Sequence, residues 1–372
     1  MMDAFIVYPN AYTSLGHGEH LWKNLCQGSC GLSSANTVFH ELFPDNTSKI
    51  GALKDLANND SRLLQILQLI ENFLIPDEAE ICQLILGASS LGDLEGKFAG
   101  DPYGCIKHYL QKNKPSIAKN FAGVISSACS SGTDVLSLAA IMVHQQKYDA
   151  IGVLAVDCLD QGKLLQHVTL GTQGQDRARP FDVNRSGTSF GEGGGFAMVV
   201  NSNGLKKLGA DHVFKIHGFG MSCDAQHITA PDETGEIPAL AISRALTASG
   251  LSANDLGYIN AHASGTPIND QVESIALHKA FGKTLDSIAV NGTKGAIGHL
   301  LGATGLVEAI LTCWSLSHQD APGTVGLENK DESLNLPVTI GGLTKKILKP
   351  IGLSTTFGFG GVNSAIVIES LY

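Results

Sequence analysis

Residues 121–145 read Phe121-Ala122-Gly123-Val124-Ile125-Ser126-Ser127-Ala128-Cys129-Ser130-Ser131-Gly132-Thr133-Asp134-Val135-Leu136-Ser137-Leu138-Ala139-Ala140-Ile141-Met142-Val143-His144-Gln145. Phe121–Ser127 has the length and apolar character of a buried strand. Ser131–Gln145 continues as an apolar helix with small residues. The change of period falls at Cys129, so a cysteine occupies a strand-to-helix turn. Upstream, Ile81–Gly87 is another short apolar run of the buried parallel kind. Downstream, Ala150–Val156 and Phe196–Val200 return as strands.

The alternation extends over the whole chain. Ala4–Tyr8 reads as a first strand, His17–Cys26 as a helix, and Ser61–Phe73 as a helix with a broad apolar face. After residue 212 come strand Val213–Ser222, helix Ile237–Ser249, strand Gly257–Ala263 and helix Asp270–Phe281. Strand Ser287–Asn291, helix Leu301–Leu316 and the paired strands Ile351–Thr356 and Ser364–Glu369 complete it. Two βαβ-rich stretches, 1–208 and 209–372 with a seam near 205–212, suggest duplication at the level of the fold. No repeat of solenoid period is present. The expected class is α/β.

Composition narrows the function. The 372 residues are 43% hydrophobic and 16% charged, which excludes a long disordered tail or a coiled coil. A net charge of −10 and a pI near 5.7 leave no global positive field for nucleic acid. No apolar run reaches the roughly 18 residues that a membrane span needs. The start lacks the basic flank and apolar core of a signal peptide. Eight cysteines (26, 30, 82, 105, 129, 158, 223, 313) form no C-x-x-C pair and read as reduced, mostly small core residues of a cytoplasmic protein. No ligand cluster of metal-site spacing is present.

Three signals carry chemistry. Cys129 lies where a helix dipole and free N–H groups stabilise a thiolate, although a buried structural cysteine fits the same position. His262, in Asn260-Ala261-His262-Ala263-Ser264-Gly265-Thr266, and His299, in Lys294-Gly295-Ala296-Ile297-Gly298-His299, each follow a strand. Two histidines at one edge of a parallel sheet sit where such folds place ligands. Phe357-Gly358-Phe359-Gly360-Gly361-Val362-Asn363 is a Gly-rich turn between apolar strands. It is either a tight hairpin or a mobile loop whose N–H groups face an oxyanion.

Together these segments resemble the elongating β-ketoacyl-acyl carrier protein synthases of the thiolase-like superfamily. Trp22–Gly28, Arg179-Pro180-Phe181-Asp182, Gly191-Glu192-Gly193 and Gly218–Ser222 match in the same order. The resemblance implies a five-layered αβαβα fold and a dimer formed beside the nucleophile strand. It makes Cys129 the acyl-accepting nucleophile, with His262 and His299 as the pair that binds malonyl thioester and promotes decarboxylation. Lys294 becomes a buried group paired with Glu273. The N–H groups of Cys129 and Phe359 form an oxyanion hole, Phe359 is the gate in Phe357–Gly360, and Ser264 and Thr266 bind pantetheine. The only prosthetic group implied is the phosphopantetheine arm of the acyl carrier protein substrate, so no cofactor is expected.

The Cys-His-His set separates this pattern from chain-initiating synthases, which carry Asn at position 299, and from thiolases, which use a second cysteine. The chain is shorter than typical members ahead of Cys129. Ala263 and Ser264 replace the usual Gly-Thr, and the extra methyl is expected to narrow the thioester channel. Asp134 resembles type II polyketide and polyene ketosynthases, which often pair with a chain-length factor; capping or a dimer contact would explain it equally. Homodimer and heterodimer both stay open, as does a non-decarboxylating acyltransferase. Lys112, Lys114 and Lys119, or Arg177, Arg179 and Arg185, are candidate carrier-docking cations, and pairing with acids such as Asp182 would explain the arginines as well.

Overall fold

A computed structural model describes residues 2–44, 47–54, 56, 61–74 and 81–371. In chain order the long strands are β1 (Phe5–Thr13), β2 (Leu84–Ala88), β3 (Phe121–Ile125), β4 (Ala150–Asp157) and β5 (Gly193–Val200). A second series follows: β6 (Val213–Cys223), β7 (Tyr258–Ala261), β8 (Ala289–Gly292), β9 (Ile351–Gly358) and β10 (Val362–Ser370). They lie in the order β8-β7-β9-β10-β6-β1-β5-β4-β2-β3. Each series of five therefore has the same order, 3-2-4-5-1. In each, the first three positions pair in parallel and the last two antiparallel. The halves meet where Phe5–Val7 pair with β5 on one side and with Val213–Lys215 on the other.

Among the described residues, the helices of nine residues or more are α1 (Gly18–Cys26), α2 (Arg62–Leu74), α3 (Pro102–Asn113), α4 (Ser131–His144), α5 (Gln161–Thr169), α6 (Glu236–Ser249), α7 (Pro267–Phe281) and α8 (Thr304–His318). Side-chain alternation along the strands sorts them into layers. On β5, Phe196 and Met198 pack with Ile66 of α2 and Ile106 of α3, whereas Ala197 and Val199 pack with Val135 of α4 and Val307 of α8. On β10, Ile366 and Ile368 face that same centre, while Ala365 and Val367 pack with Ile242 of α6 and Leu277 of α7. Five layers result: helices, half-sheet, the central α4–α8 pair, half-sheet, helices. This is the expected αβαβα class.

The central pair sets the geometry of the site. A Cβ on Gly132 would lie 2.4 Å from the backbone nitrogen of Leu306, and one on Gly305 would lie 2.5 Å from that of Thr133. Only glycine allows this approach. It brings the Cys129 turn against the segment that follows His299.

Two of these longer helices escaped the sequence reading. α3 starts at Pro102 behind Asp101, whose carboxylate accepts the Gly104 N–H at 2.8 Å. α5 starts behind Asp160, which accepts the Lys163 N–H at 2.8 Å. Both have capping residues, but their apolar faces are broken by polar side chains. The face expected on Ser61–Phe73 is present through Leu63, Ile66, Leu67 and Ile70; the Phe73 side chain lies outside the described residues. Among the described residues, no helix is long and apolar enough to cross a membrane.

Candidate active site

A cavity of about 330 Å³ opens at one end of the central helices. Cys129, His262, His299, Ser264, Thr266, Phe357, Gly358 and Phe359 all line it, so most of the sequence-derived set converges.

Cys129 follows Ala128, a non-glycine residue in the left-handed region (φ 53°), a conformation that costs roughly 1–2 kcal/mol. Asp134 holds the turn by accepting from the hydroxyls of Ser127, Ser130 and, on β10, Ser364 at 2.5–2.8 Å. It thus ties the Cys129 turn to the last strand. The backbone N–H groups of Phe359 and of Cys129 itself favour the thiolate. Burial nevertheless pushes the thiol up to about 11, against these donors and the Lys294 charge. Desolvation thus favours the protonated thiol over the thiolate that the donors and Lys294 favour.

The rings of His262 and His299 meet edge to face, centroids 5.3 Å apart. Nδ1 of His299 accepts the Leu301 N–H at 3.0 Å and is 3.1 Å from the Thr304 hydroxyl. A backbone N–H can only donate, so the ring proton is assigned to Nε2. Burial, Lys294 and His167 hold His299 well below the ordinary imidazole range. Burial, Lys294 and His299 do the same to His262. Both rings are neutral, and His299 presents Nε2–H.

The expected Lys294–Glu273 pair is not formed. Lys294 Nζ is 2.7 Å from Glu308 Oε1 and also donates to the His262 carbonyl oxygen. Glu273 accepts instead from the backbone N–H groups of His262 and Ala263, each at 2.7 Å, and from the Thr355 hydroxyl at 3.0 Å. Its carboxylate fastens the end of β7 and has both oxygens committed there. Glu308 was missed. Its signal was available: a single carboxylate inside the otherwise apolar run of α8.

Other expectations are also revised. Ala263 (φ 46°) turns its methyl toward Gly292, which lacks a Cβ, and does not line the cavity, so the channel is not narrowed by it. Gly360 is exposed and gives its N–H to Ile228 at 2.8 Å, leaving Phe359 as the loop's donor toward Cys129. Ser264 and Thr266 hydroxyls lie 3.0 Å apart on the cavity wall, and Thr266 also caps α7 through the Asn269 N–H. Arg177 and Arg179 pair with Glu328, and Arg185 pairs with Asp331 at 2.6 Å while donating to the Asp182 carbonyl. Those arginines are committed to local acids. Lys114 lies 3.4 Å from Glu71, whereas Lys112 and Lys119 are exposed.

The cavity is also lined by residues with no sequence forecast, among them His167, Thr172, Thr188 and Phe190. At the start of α5, Asp93, Cys158 and Asp160 gather in ligand-like proximity. Lys163 already supplies a cation there, its Nζ 2.6 Å from Asp157 and 3.8 Å from both Asp160 and Cys158 Sγ.

The chain matches two consecutive family models, the β-ketoacyl synthase N-terminal domain over residues 118–203 and the C-terminal domain over 213–328. It is 38% identical over 238 residues to the mitochondrial 3-oxoacyl-[acyl-carrier-protein] synthase of Arabidopsis thaliana, covering 63% of this chain and 51% of that protein. It is 33% identical over 257 residues to 3-oxoacyl-[acyl-carrier-protein] synthase 2 of Vibrio cholerae, covering 66% and 62%. The alignments thus span about half to three fifths of these relatives. Among solved structures, a type II polyketide ketosynthase in complex with its acyl-carrier protein superposes with a TM-score of 0.87 at 20% identity. The ishigamide ketosynthase/chain length factor does so at 0.86 and 21%; both matches cover each chain fully. These share the thiolase-like fold.

Proposed function

Because the chain belongs to the β-ketoacyl synthase family, we propose that it catalyses decarboxylative Claisen condensation of an acyl thioester with malonyl-acyl carrier protein. The observation that carries this reading is the convergence of two neutral histidines, one fixed with Nε2–H, on the cavity that holds Cys129 and its paired N–H donors.

The chemistry divides into two half-reactions. In the first, the Cys129 sulfur attacks the carbonyl of an acyl-carrier thioester. The tetrahedral oxyanion takes the N–H groups of Cys129 and Phe359, and the pantetheine thiol leaves with the proton that Cys129 gives up. Because that thiol rests protonated, proton removal accompanies attack. In the second, malonyl thioester loses CO₂, and its carbonyl becomes an enolate oxygen held by His262 and His299. The enolate carbon attacks the acyl-Cys129 carbonyl. Collapse expels the cysteine sulfur, which regains a proton, and releases a β-ketoacyl thioester on the carrier. Lys294 positions His262 through its carbonyl and keeps both rings neutral. No step calls on a metal or redox group; the phosphopantetheine arm arrives with the substrate and lies against Ser264 and Thr266.

We read residues 1–208 as the half that carries the nucleophile and 209–372 as the half that carries the histidines and the gating loop. A carrier protein is the implied partner, with Lys112 and Lys119 the cations left for it. Strand β3 ends the sheet, one edge unpaired among the described residues, and such an edge accepts a second chain. That supports a dimer, identical or with a chain-length-factor-like homologue, as in the ishigamide complex.

Replacing His299 with Ala separates this function from simple acyl transfer. Acylation of Cys129 should persist while CO₂ release from malonyl-carrier protein falls roughly 10²-fold or more. Undiminished CO₂ release would refute the decarboxylative assignment.

A further inference from the structure

His167 stands in the last turn of α5, and the residue is 8% exposed. One face stacks on Phe190 with centroids 3.9 Å apart, and Phe359 lies against it at 5.5 Å. Phe190 in turn reaches His299 at 5.8 Å. The ring is therefore built into the cavity wall, one residue removed from the Phe359 N–H that faces Cys129.

Its hydrogen bonds accommodate a proton on Nδ1. The Thr172 hydroxyl donates to the His167 backbone carbonyl at 3.2 Å, and its oxygen is 3.1 Å from Nδ1. In the tautomer where that hydroxyl proton stays directed at the carbonyl, Nδ1–H donates to the Thr172 oxygen. Nε2 then carries a lone pair and has no hydrogen-bond partner among the described residues. It is not among the fully enclosed unpartnered atoms, so it opens on the cavity that the ring lines.

We propose that His167 is a specificity-determining residue whose Nε2 accepts a hydrogen bond from a hydroxyl carried by the acyl chain close to its thioester. The proposal rests on the synthase reading above. A saturated chain strips water from Nε2 and returns nothing, which a pocket with a polar atom penalises more strongly than a missing methylene. A keto oxygen at the same place meets the lone pair and is repelled. The preferred donor is a hydroxyacyl thioester, and the reaction class that supplies it is reduction of a β-keto thioester without subsequent loss of water.

The test is intact-protein mass, followed in time, after mixing the full chain with carrier protein bearing 3-hydroxyoctanoyl or octanoyl groups. The hydroxyacyl adduct should form roughly tenfold faster or more. In His167→Phe, which keeps the stack on Phe190, the two rates should converge. Thr172→Val, which frees the ring to carry its proton on Nε2, should raise loading of 3-oxooctanoyl relative to 3-hydroxyoctanoyl and guards against misfolding of the first variant. Equal rates in the wild type, or a preference unchanged in both variants, overturn the role of His167 alone. No adduct from any donor overturns the synthase reading, and this proposal with it.

Discussion

Lys294 Nζ sits 2.7 Å from Glu308 Oε1, with both side chains removed from water at the core of the molecule. The ammonium also donates to the carbonyl oxygen of His262, so an ion pair anchored on α8 is joined through one hydrogen bond to the backbone that carries a ring of the site. Its charge is one of the forces that keep His262 and His299 neutral.

Removing only the carboxylate therefore strands a buried cation. Glu308→Leu should cost about 3–5 kcal/mol in urea unfolding, and Lys294→Met/Glu308→Leu should recover most of it. If the double variant is as unstable as the single, the pair is not the source of the loss.

The Cys129 thiol, pushed up to about 11, should be alkylated by iodoacetamide about tenfold faster per pH unit from 7 to 9. Mass mapping of the modified peptide over that range decides it. A plateau below pH 8 would mean that the helix terminus and the N–H donors outweigh burial after all.

How much of this was legible in the sequence depends on what kind of signal each residue gives. The order of strands and helices was readable because each buried strand is a short apolar run and each core helix a longer one. Cys129, His262 and His299 were readable because each stands where such a run breaks. The partner of Lys294 was harder, since Glu308 marks itself as a buried carboxylate on α8 but Glu273 on α7 is a buried carboxylate too. Only packing shows that Glu273 spends its oxygens on the end of β7. His167 gave no signal either, because α5 has too many polar residues to read as a core helix.

His167 also makes a pH prediction. Burial first and then the Lys163 charge lower it to about 4, from about 6.5 unfolded. Between those values the unfolded chain binds the extra proton, so this group's contribution to stability is full above pH 6.5 and is lost as pH falls toward 4. Relative to wild type, His167→Phe should flatten the decline in unfolding free energy by up to about 1.4 kcal/mol per pH unit in that window. Parallel curves for the two proteins would exclude a depressed His167.

Backbone contact between α4 and α8 makes Gly132 intolerant of even one methyl. Gly132→Ala must displace Leu306, and the strain should cost about 1–3 kcal/mol, read as a lowered Tm. Gly171→Ala, with open space around its Cβ, should show only the smaller penalty of its positive φ. Equal losses would deny the close approach.

The central claim is most directly tested by product mass. Wild-type chain is loaded from acyl-carrier protein, freed of excess donor, and mixed with malonyl-carrier protein. The account requires an acyl adduct on Cys129 that vanishes as the carrier gains the mass of a β-ketoacyl group and one CO₂ is released per turnover. An adduct that forms equally well in Cys129→Ala, or one that malonyl-carrier protein never discharges, would contradict it.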